Sequence, residues 1–218
     1  MPLRNHGGIR IWPRAAALDL ASKTLDNTSE PSPALLLPNL QPAPTTLPVP
    51  FFEQEETNWC WAACIQMVMH YFNQTSVDQC HVASLFFEDD SCSQPDSFNF
   101  GCDPEDVKRI FANPDLSVEC TRRASTVQFG TIQKEINEGQ RPIAVALLWF
   151  TPTKKERGGH IIIVKGWRMF DGKPFVKVND PWYGRGDVSF ARLKSYYGPD
   201  DDGLDGVWKH TWTSIRRK

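Results

Sequence analysis

The sequence predicts an α+β fold, and three observations predict it. Helix-patterned segments crowd the part of the chain between residues 58 and 139. Strand-patterned segments follow from residue 142 onward. The strongest strand pattern is followed by a turn signal and a second strand, which makes an antiparallel hairpin. Helices first and an antiparallel sheet afterwards give a helical half facing a sheet half, with a cleft between them. At 218 residues the chain is long enough for one domain with a full core, plus a tail.

Residues 1–50 have a character of their own. Met1 to Glu30 mixes Ser, Thr, charges and isolated apolar residues without firm periodicity, and seven prolines fall between Pro31 and Pro50. Such a stretch cannot continue a helix or pair centrally in a sheet. It reads as an extended tail, with the domain proper over residues 51–218. The nearest approach to a secretory core, Ala15-Ala16-Ala17-Leu18, is short and is broken by Asp19. The tail is therefore a linker, a pro-segment that covers the cleft, or an export signal.

The first helix starts near Cys60, with Thr57 or Asn58 as its cap, and runs through Phe72 with apolar residues at helical spacing and no Gly or Pro. A second begins around Ser76–Asp78 and continues to Phe87. A loop rich in Asp, Ser and Asn follows from Glu88 to Phe100. Asp103–Phe111 is a third helix, with Pro near its start and acids in its first turn. Phe129–Glu138 is a fourth, ended by Gly139. Pro142–Phe150 is a buried strand. His160–Trp167, almost continuously β-branched, is the best strand in the chain; it turns at Asp171-Gly172 and returns as Phe175–Asn179. Val207–Ile215 alternates and closes the sheet.

Composition narrows the function. A net charge of −2 gives no sign of a nucleic-acid or anionic-membrane partner. No apolar run approaches the ~20 residues of a membrane span. Eight Trp and thirteen Phe point to a packed interior and an aromatic cleft.

The chemistry concentrates in four residues. Cys60 falls in the first turn of a helix, where unpaired N–H groups and the positive end of the helix dipole favour the thiolate. Gln54, six residues upstream, carries an amide able to fold back over the same helix start. With the Cys60 N–H it would bind a developing oxyanion. His160 opens one strand of the hairpin and Asp180 closes the other, so both lie at one end of the sheet. A tight turn at Asp171-Gly172 would set His160 opposite residue 183, so a bulge or a longer loop is needed to close the offset. Taken singly, each residue has an ordinary explanation: a buried helix cysteine, a polar strand end, an Asp-Pro turn opener. Taken in order as Gln, Cys, His and Asp, they make a nucleophile, a base and an orienter.

The segments Asn58-Trp59-Cys60-Trp61-Ala62-Ala63, Gly158-Gly159-His160 and Asn179-Asp180-Pro181-Trp182 resemble the papain-like cysteine peptidases over roughly residues 50–215. The closer likeness is to bacterial members, the avirulence-effector peptidases of plant pathogens, and more distantly to the peptidases that remove double-glycine leaders. The resemblance implies a papain-like fold and a Cys60–His160–Asp180 triad assisted by Gln54. Many members use Asn at the acid position, and Asn179 is adjacent. Trp61 and Trp182 are then expected on the substrate side, with Trp182 also shielding the His160–Asp180 bond. Gly158 and Gly159 would leave room for a substrate backbone. The resemblance further implies a bridge among Cys80, Cys92 and Cys102, and export by a machine that reads disordered N-termini unless a signal has been removed. With Cys120, these three surround the irregular loop, where one or two disulfides would act as staples; Cys64 packs as an apolar residue. There is no C-x-x-C pair and the spacings are wide, which weighs against zinc although His81 follows Cys80. No metal or cofactor is expected.

His70 lies ten residues along the same helix, about 15 Å from Cys60, His81 and His210 lack an acid placed like Asp180, and His6 is in the tail. Arg185-Gly186-Asp187 reads as a turn, and Asp200-Asp201-Asp202-Gly203 as a solvated loop rather than a calcium site. The expected function is acyl transfer to Cys60 by a monomeric, secreted or delivered endopeptidase of limited specificity acting on a protein or peptide. A papain-fold glutamine deamidase or transamidase would use the same residues, and a binding module with a dead site is the third class.

Overall fold

The computed structural model describes residues 43–198 and 205–218. The tail up to residue 42, with His6 and Ala15–Leu18, and the Asp200–Gly203 loop lie outside the described residues. Helix α1 (Cys60–Tyr71) is buried from Trp61 to Met69, as its uninterrupted apolar sequence requires. Helix α2 (Gln79–Phe87) is capped by the Asp78 carboxylate, which accepts from the His81 N–H at 2.8 Å. Helix α3 (Pro104–Phe111) starts on its proline and buries Val107, Ile110 and Phe111 on one face. Inside the expected loop lies a short 3-10 helix, Pro95–Phe98.

A six-stranded antiparallel sheet forms the second layer, in the order β1-β6-β2-β3-β4-β5. Its members are β1 (Val118–Arg123), β2 (Ile143–Phe150), β3 (Glu156–Phe170), β4 (Lys173–Asp180), β5 (Gly184–Ser189) and β6 (Asp205–Arg217). Helix α4 (Phe129–Asn137) packs on β3, and the short α5 (Phe190–Ser195) packs on β6. The expected helices and strands are all present. Strands β1 and β5 and helix α5 were not anticipated, because their short, charged sequences carry little period-2 or helical patterning. The Arg185-Gly186-Asp187 tripeptide, read as a turn, belongs to β5. Its Asp187 is held by Arg168 at 2.5 Å and Lys177 at 3.2 Å.

Two features of β3 position the site. The β3–β4 hairpin turns tightly, with Asp171 and Gly172 both at positive φ (49° and 67°), and starts in the register Phe170↔Lys173. Between Val164 and Gly166 the register shifts by one at Lys165. Without that bulge Asp180 would stand opposite Ile163, and His160, three residues away, would point to the other face. With it, Asp180 follows on opposite Ile162 and shares a face with His160. The bulge cuts the anticipated offset from three residues to two, and an even offset is what returns the two side chains to one face.

The last part of the proline-rich stretch is not tail. Beyond Val164, β3 has outrun its partner β2, and the segment Thr45–Leu47 takes the vacant side: Leu47 donates to the Lys165 carbonyl at 2.8 Å and Trp167 to that of Thr45 at 3.1 Å. Gly166 is required there, since a Cβ would lie 2.7 Å from the Thr45 carbonyl oxygen. Leu47 and Val49 join the core. Among the described residues no helix is long and apolar enough to cross a membrane.

Candidate active site

Cys60 is the first residue of α1, so its own N–H belongs to the donors that a helix leaves without an internal partner. The expected caps do not cap. Trp59 occupies the N-cap position, and its side chain makes no bond to the helix start. The Asn58 amide and backbone are engaged with Asn99 instead, at 3.0 and 2.8 Å, and Thr57 accepts from the Asn99 amide at 2.9 Å. The indole N–H groups on either side of Cys60 serve the same loop: Trp59 donates to the Phe98 carbonyl at 3.0 Å and Trp61 to that of Phe100 at 3.1 Å. The Asn-Trp-Cys-Trp run is thus an anchor for residues 98–100 beside Cys60. This corrects the expectation for Trp61, which is 1% exposed, set edge-on against Phe86 and Phe87, and out of reach of a substrate.

His160 comes from β3. Its Nε2 is 2.8 Å from Asp180 Oδ1, which leaves Nδ1 open, and the Cys60 side chain lies close enough to bear on the charge of the ring. Both members of the His–Asp pair are buried. Burial alone would pull the imidazole down. The Asp180 charge and hydrogen bond, aided by Cys60, outweigh it and raise His160 to about 10. Burial likewise opposes ionisation of Asp180, but the His160 charge and a set of donors hold its carboxyl below the usual range. Those donors are unusually complete. Oδ1 accepts from His160 and from the backbone N–H groups of Trp182 (2.8 Å) and Tyr183 (2.9 Å), and Oδ2 from the Tyr197 hydroxyl at 2.7 Å. Asn179, the alternative acid-position residue, alternates to the other side of β4, where its amide donates to the carbonyls of Val49 and Pro50.

A sequence profile described as papain-like cysteine protease AvrRpt2 matches residues 44–197. The chain belongs to this family. It is a papain-like cysteine peptidase, a hydrolase acting on protein substrates. No curated protein matches it. Solved structures similar to it include a double-glycine-motif protease from an AMS/PCAT transporter in complex with the leader peptide. That pair is 18% identical, with 78% of this chain and 99% of that one covered and a TM-score of 0.39. A second is a mite-allergen structure from a study of Blo t 1 and Der p 1 (10% identity, coverage 84% and 73%, TM-score 0.47). A third is procathepsin B S9 from Trypanosoma congolense (12% identity, coverage 77% and 73%, TM-score 0.43).

The remaining expectations for this papain-like peptidase fall out unevenly. Gln54 lies at the helix start and is tied to the acid's turn through its backbone N–H, 3.1 Å from the Pro181 carbonyl. Its amide nitrogen donates to the carbonyls of Glu56 (2.9 Å) and Thr57 (2.8 Å), so both protons hold the approach to Cys60 in this state. Gly158, at φ 129°, and Gly159 precede His160 with little cover. Trp182 is half-buried, and its backbone rather than its indole supports Asp180. The rings against His160 are Trp149, stacked at 6.1 Å and 27°, and Tyr183, edge-on at 6.3 Å. Trp149 follows from register: Leu147 faces His160, so Trp149, two residues on, shares its side of the sheet. Tyr197 had no sequence signal, since it stands outside every patterned element.

Cys80 and Cys92 form a disulfide that closes the loop after α2, while Cys102 and Cys120 are free thiols. Asp78 lies near both bridged sulfurs, which are bonded to each other and so cannot serve as thiolate ligands. Cys64 is buried as expected, with its thiol on the Ile161 carbonyl at 3.2 Å. His70 bonds the Val77 carbonyl at 3.0 Å and His210 faces Arg122 at 3.1 Å, which accounts for two of the other imidazoles.

Proposed function

We propose that this peptidase works through a Cys60–His160–Asp180 triad. The observation that carries the reading is that a helix and two strands bring Cys60 and Asp180 to the same buried imidazole, with Asp180 hydrogen-bonded to His160 and Cys60 close enough to help hold it protonated. His160 takes the thiol proton as Sγ attacks the scissile carbonyl carbon, and the oxygen becomes an oxyanion. The Cys60 N–H receives it, together with the Gln54 amide once one of its bonds to Glu56 or Thr57 is exchanged for the substrate. Collapse breaks the C–N bond while His160 returns the proton to the leaving amine. Water, deprotonated by His160, then hydrolyses the thioester and restores the thiol. Asp180 keeps its charge throughout and fixes the imidazole orientation. Gly158 and Gly159 are the open side along which a substrate backbone approaches.

Membership of a family described by AvrRpt2 supports a further reading: a monomer exported from a bacterium, delivered into a target cell, and cleaving particular proteins there. The stretch before Thr45 would then carry the export signal or a removable pro-segment. N-terminal mapping after incubation with a proteome-derived peptide library tests the activity. New termini are expected with wild type and none with Cys60→Ala. Full cleavage by Cys60→Ala would end the triad reading, and a gain of about one dalton on glutamine without new termini would replace hydrolysis of peptide bonds by deamidation.

A further inference from the structure

Tyr197 is placed as though the sheet had been arranged around its hydroxyl. It is 2% exposed, and its oxygen lies 2.7 Å from Asp180 Oδ2, the carboxylate oxygen that His160 does not use. The residue belongs to no helix or strand. An isolated antiparallel bridge to Gly206 holds its backbone at both ends, the Tyr197 N–H on the Gly206 carbonyl at 3.0 Å and the reverse at 2.9 Å. Gly206 is opposite Trp149 in the β2–β6 ladder, and a Cβ there would lie 2.6 Å from the Tyr197 carbonyl oxygen and 2.7 Å from Trp149 Cζ3. The bare glycine therefore lets Tyr197 and Trp149 close up, with ring centroids 6.4 Å apart, and Trp149 in turn stacks on His160.

A buried phenol ordinarily needs one acceptor, and a backbone carbonyl would do. Here the acceptor is the acid of the triad. The titratable groups acting on this carboxylate or on the groups it touches are His160 from β3, Cys60 and Cys64 from α1, Tyr183 from the β4–β5 turn, and Tyr197 itself. Arg192 reaches the Gly198 carbonyl, one residue beyond Tyr197. Tyr197 is thus the only hydroxyl donor to Oδ2 among the described residues.

Resting on the triad reading above, we propose that Tyr197 is a positioning residue of this peptidase. Through one hydrogen bond to Asp180 Oδ2 it keeps the acid ionised and rotated so that Oδ1 aims at His160. A donor to a buried carboxylate stabilises the anion, so its loss makes Asp180 easier to protonate and lets the carboxylate turn.

The test is the pH dependence of Cys60 alkylation by iodoacetamide, followed by intact mass, which needs no known substrate. Wild type is expected to react on the acid side of neutrality, with His160 taking the Cys60 proton. Tyr197→Phe keeps the ring and the fold, checked by thermal unfolding. Its acid edge is expected to move to higher pH, with alkylation below that edge slowed about tenfold. In an Asp180→Ala background the same substitution should change the rate less than twofold, because its acceptor is gone. Gly206→Ala, which presses on Tyr197 without altering its hydroxyl, should move the edge in the same direction. A Tyr197→Phe profile that superimposes on wild type overturns the proposal, as does an equal loss at every pH in both backgrounds. Absence of any acid-side reactivity in wild type would instead remove the triad reading on which the proposal stands.

Discussion

The two sides of the cleft are built on opposite plans. On the helix side the polar groups near Cys60 bond close neighbours or one adjoining loop: Gln54 to Glu56 and Thr57, Asn58 to Asn99, and Trp59 and Trp61 to Phe98 and Phe100. On the sheet side the polar groups converge on the chemistry itself, with donors from β3, from the turn after β4 and from the approach to β6 meeting on Asp180. The first plan fixes where a thiol sits. The second fixes the charge state of the group that works on it. Substitutions on the helix side should therefore act mainly through position and stability, and those on the sheet side through pH dependence.

Gln54 breaks or sharpens this contrast most strongly. If its amide turns to the oxyanion during the reaction, Gln54→Ala lowers kcat on the order of 10²–10³ with an unchanged pH profile. A loss below tenfold, with lowered thermal stability, would assign it to the helix-side scaffold alone. Steady-state kinetics on a peptide cleaved by wild type decides between them.

A middling effect is expected from Asp180→Asn, roughly 10–100-fold in kcat/KM, smaller than the upper end of what losing a general base costs. The pH profile carries more information than the rate. The ionised acid is what holds His160 up at about 10 against burial, so the alkaline limb should move down when that charge is removed. The same pair ties stability to pH. Asp180, lowered on folding, contributes stability above its unfolded pKa and loses it as pH falls through the folded value. His160, raised on folding, contributes fully below its unfolded pKa of 6.5 and loses that contribution as pH climbs towards 10. In Asp180→Asn, thermal unfolding should lose both slopes.

The smallest catalytic effect belongs to Trp61→Phe. It leaves the Phe100 carbonyl without its indole donor and should cost about 1–3 kcal/mol of stability while kcat per folded molecule stays near wild type. A large change in KM would put Trp61 back among the substrate contacts.

How far the site could be read beforehand follows the same division. Cys60, His160 and Asp180 were legible because each sits at an element end that local patterning marks: an apolar helix start, a β-branched strand, an Asp-Pro stop. The roles of Thr57, Asn58 and Trp61 were not legible because their partners are some 40 residues away, in a loop without periodicity. Trp149 and Tyr197 were missed for a related reason: the first looks like any core residue of a buried strand, and the second stands in no element at all.

By itself the sequence determined the α+β layering, the order of the elements, the tight Asp171-Gly172 turn and which side chains are candidates for the chemistry, since all of these are set by neighbours within a few residues. Only the tertiary structure decided that His160 and Asp180 share a face. That outcome turns on a one-residue bulge at Lys165, stabilised by the segment Thr45–Leu47 from the far end of the chain. It likewise decided what surrounds Asp180. A carboxylate buried in a protein stays charged only when enough donors reach it at once, and donors drawn from separate strands meet only after the sheet has formed.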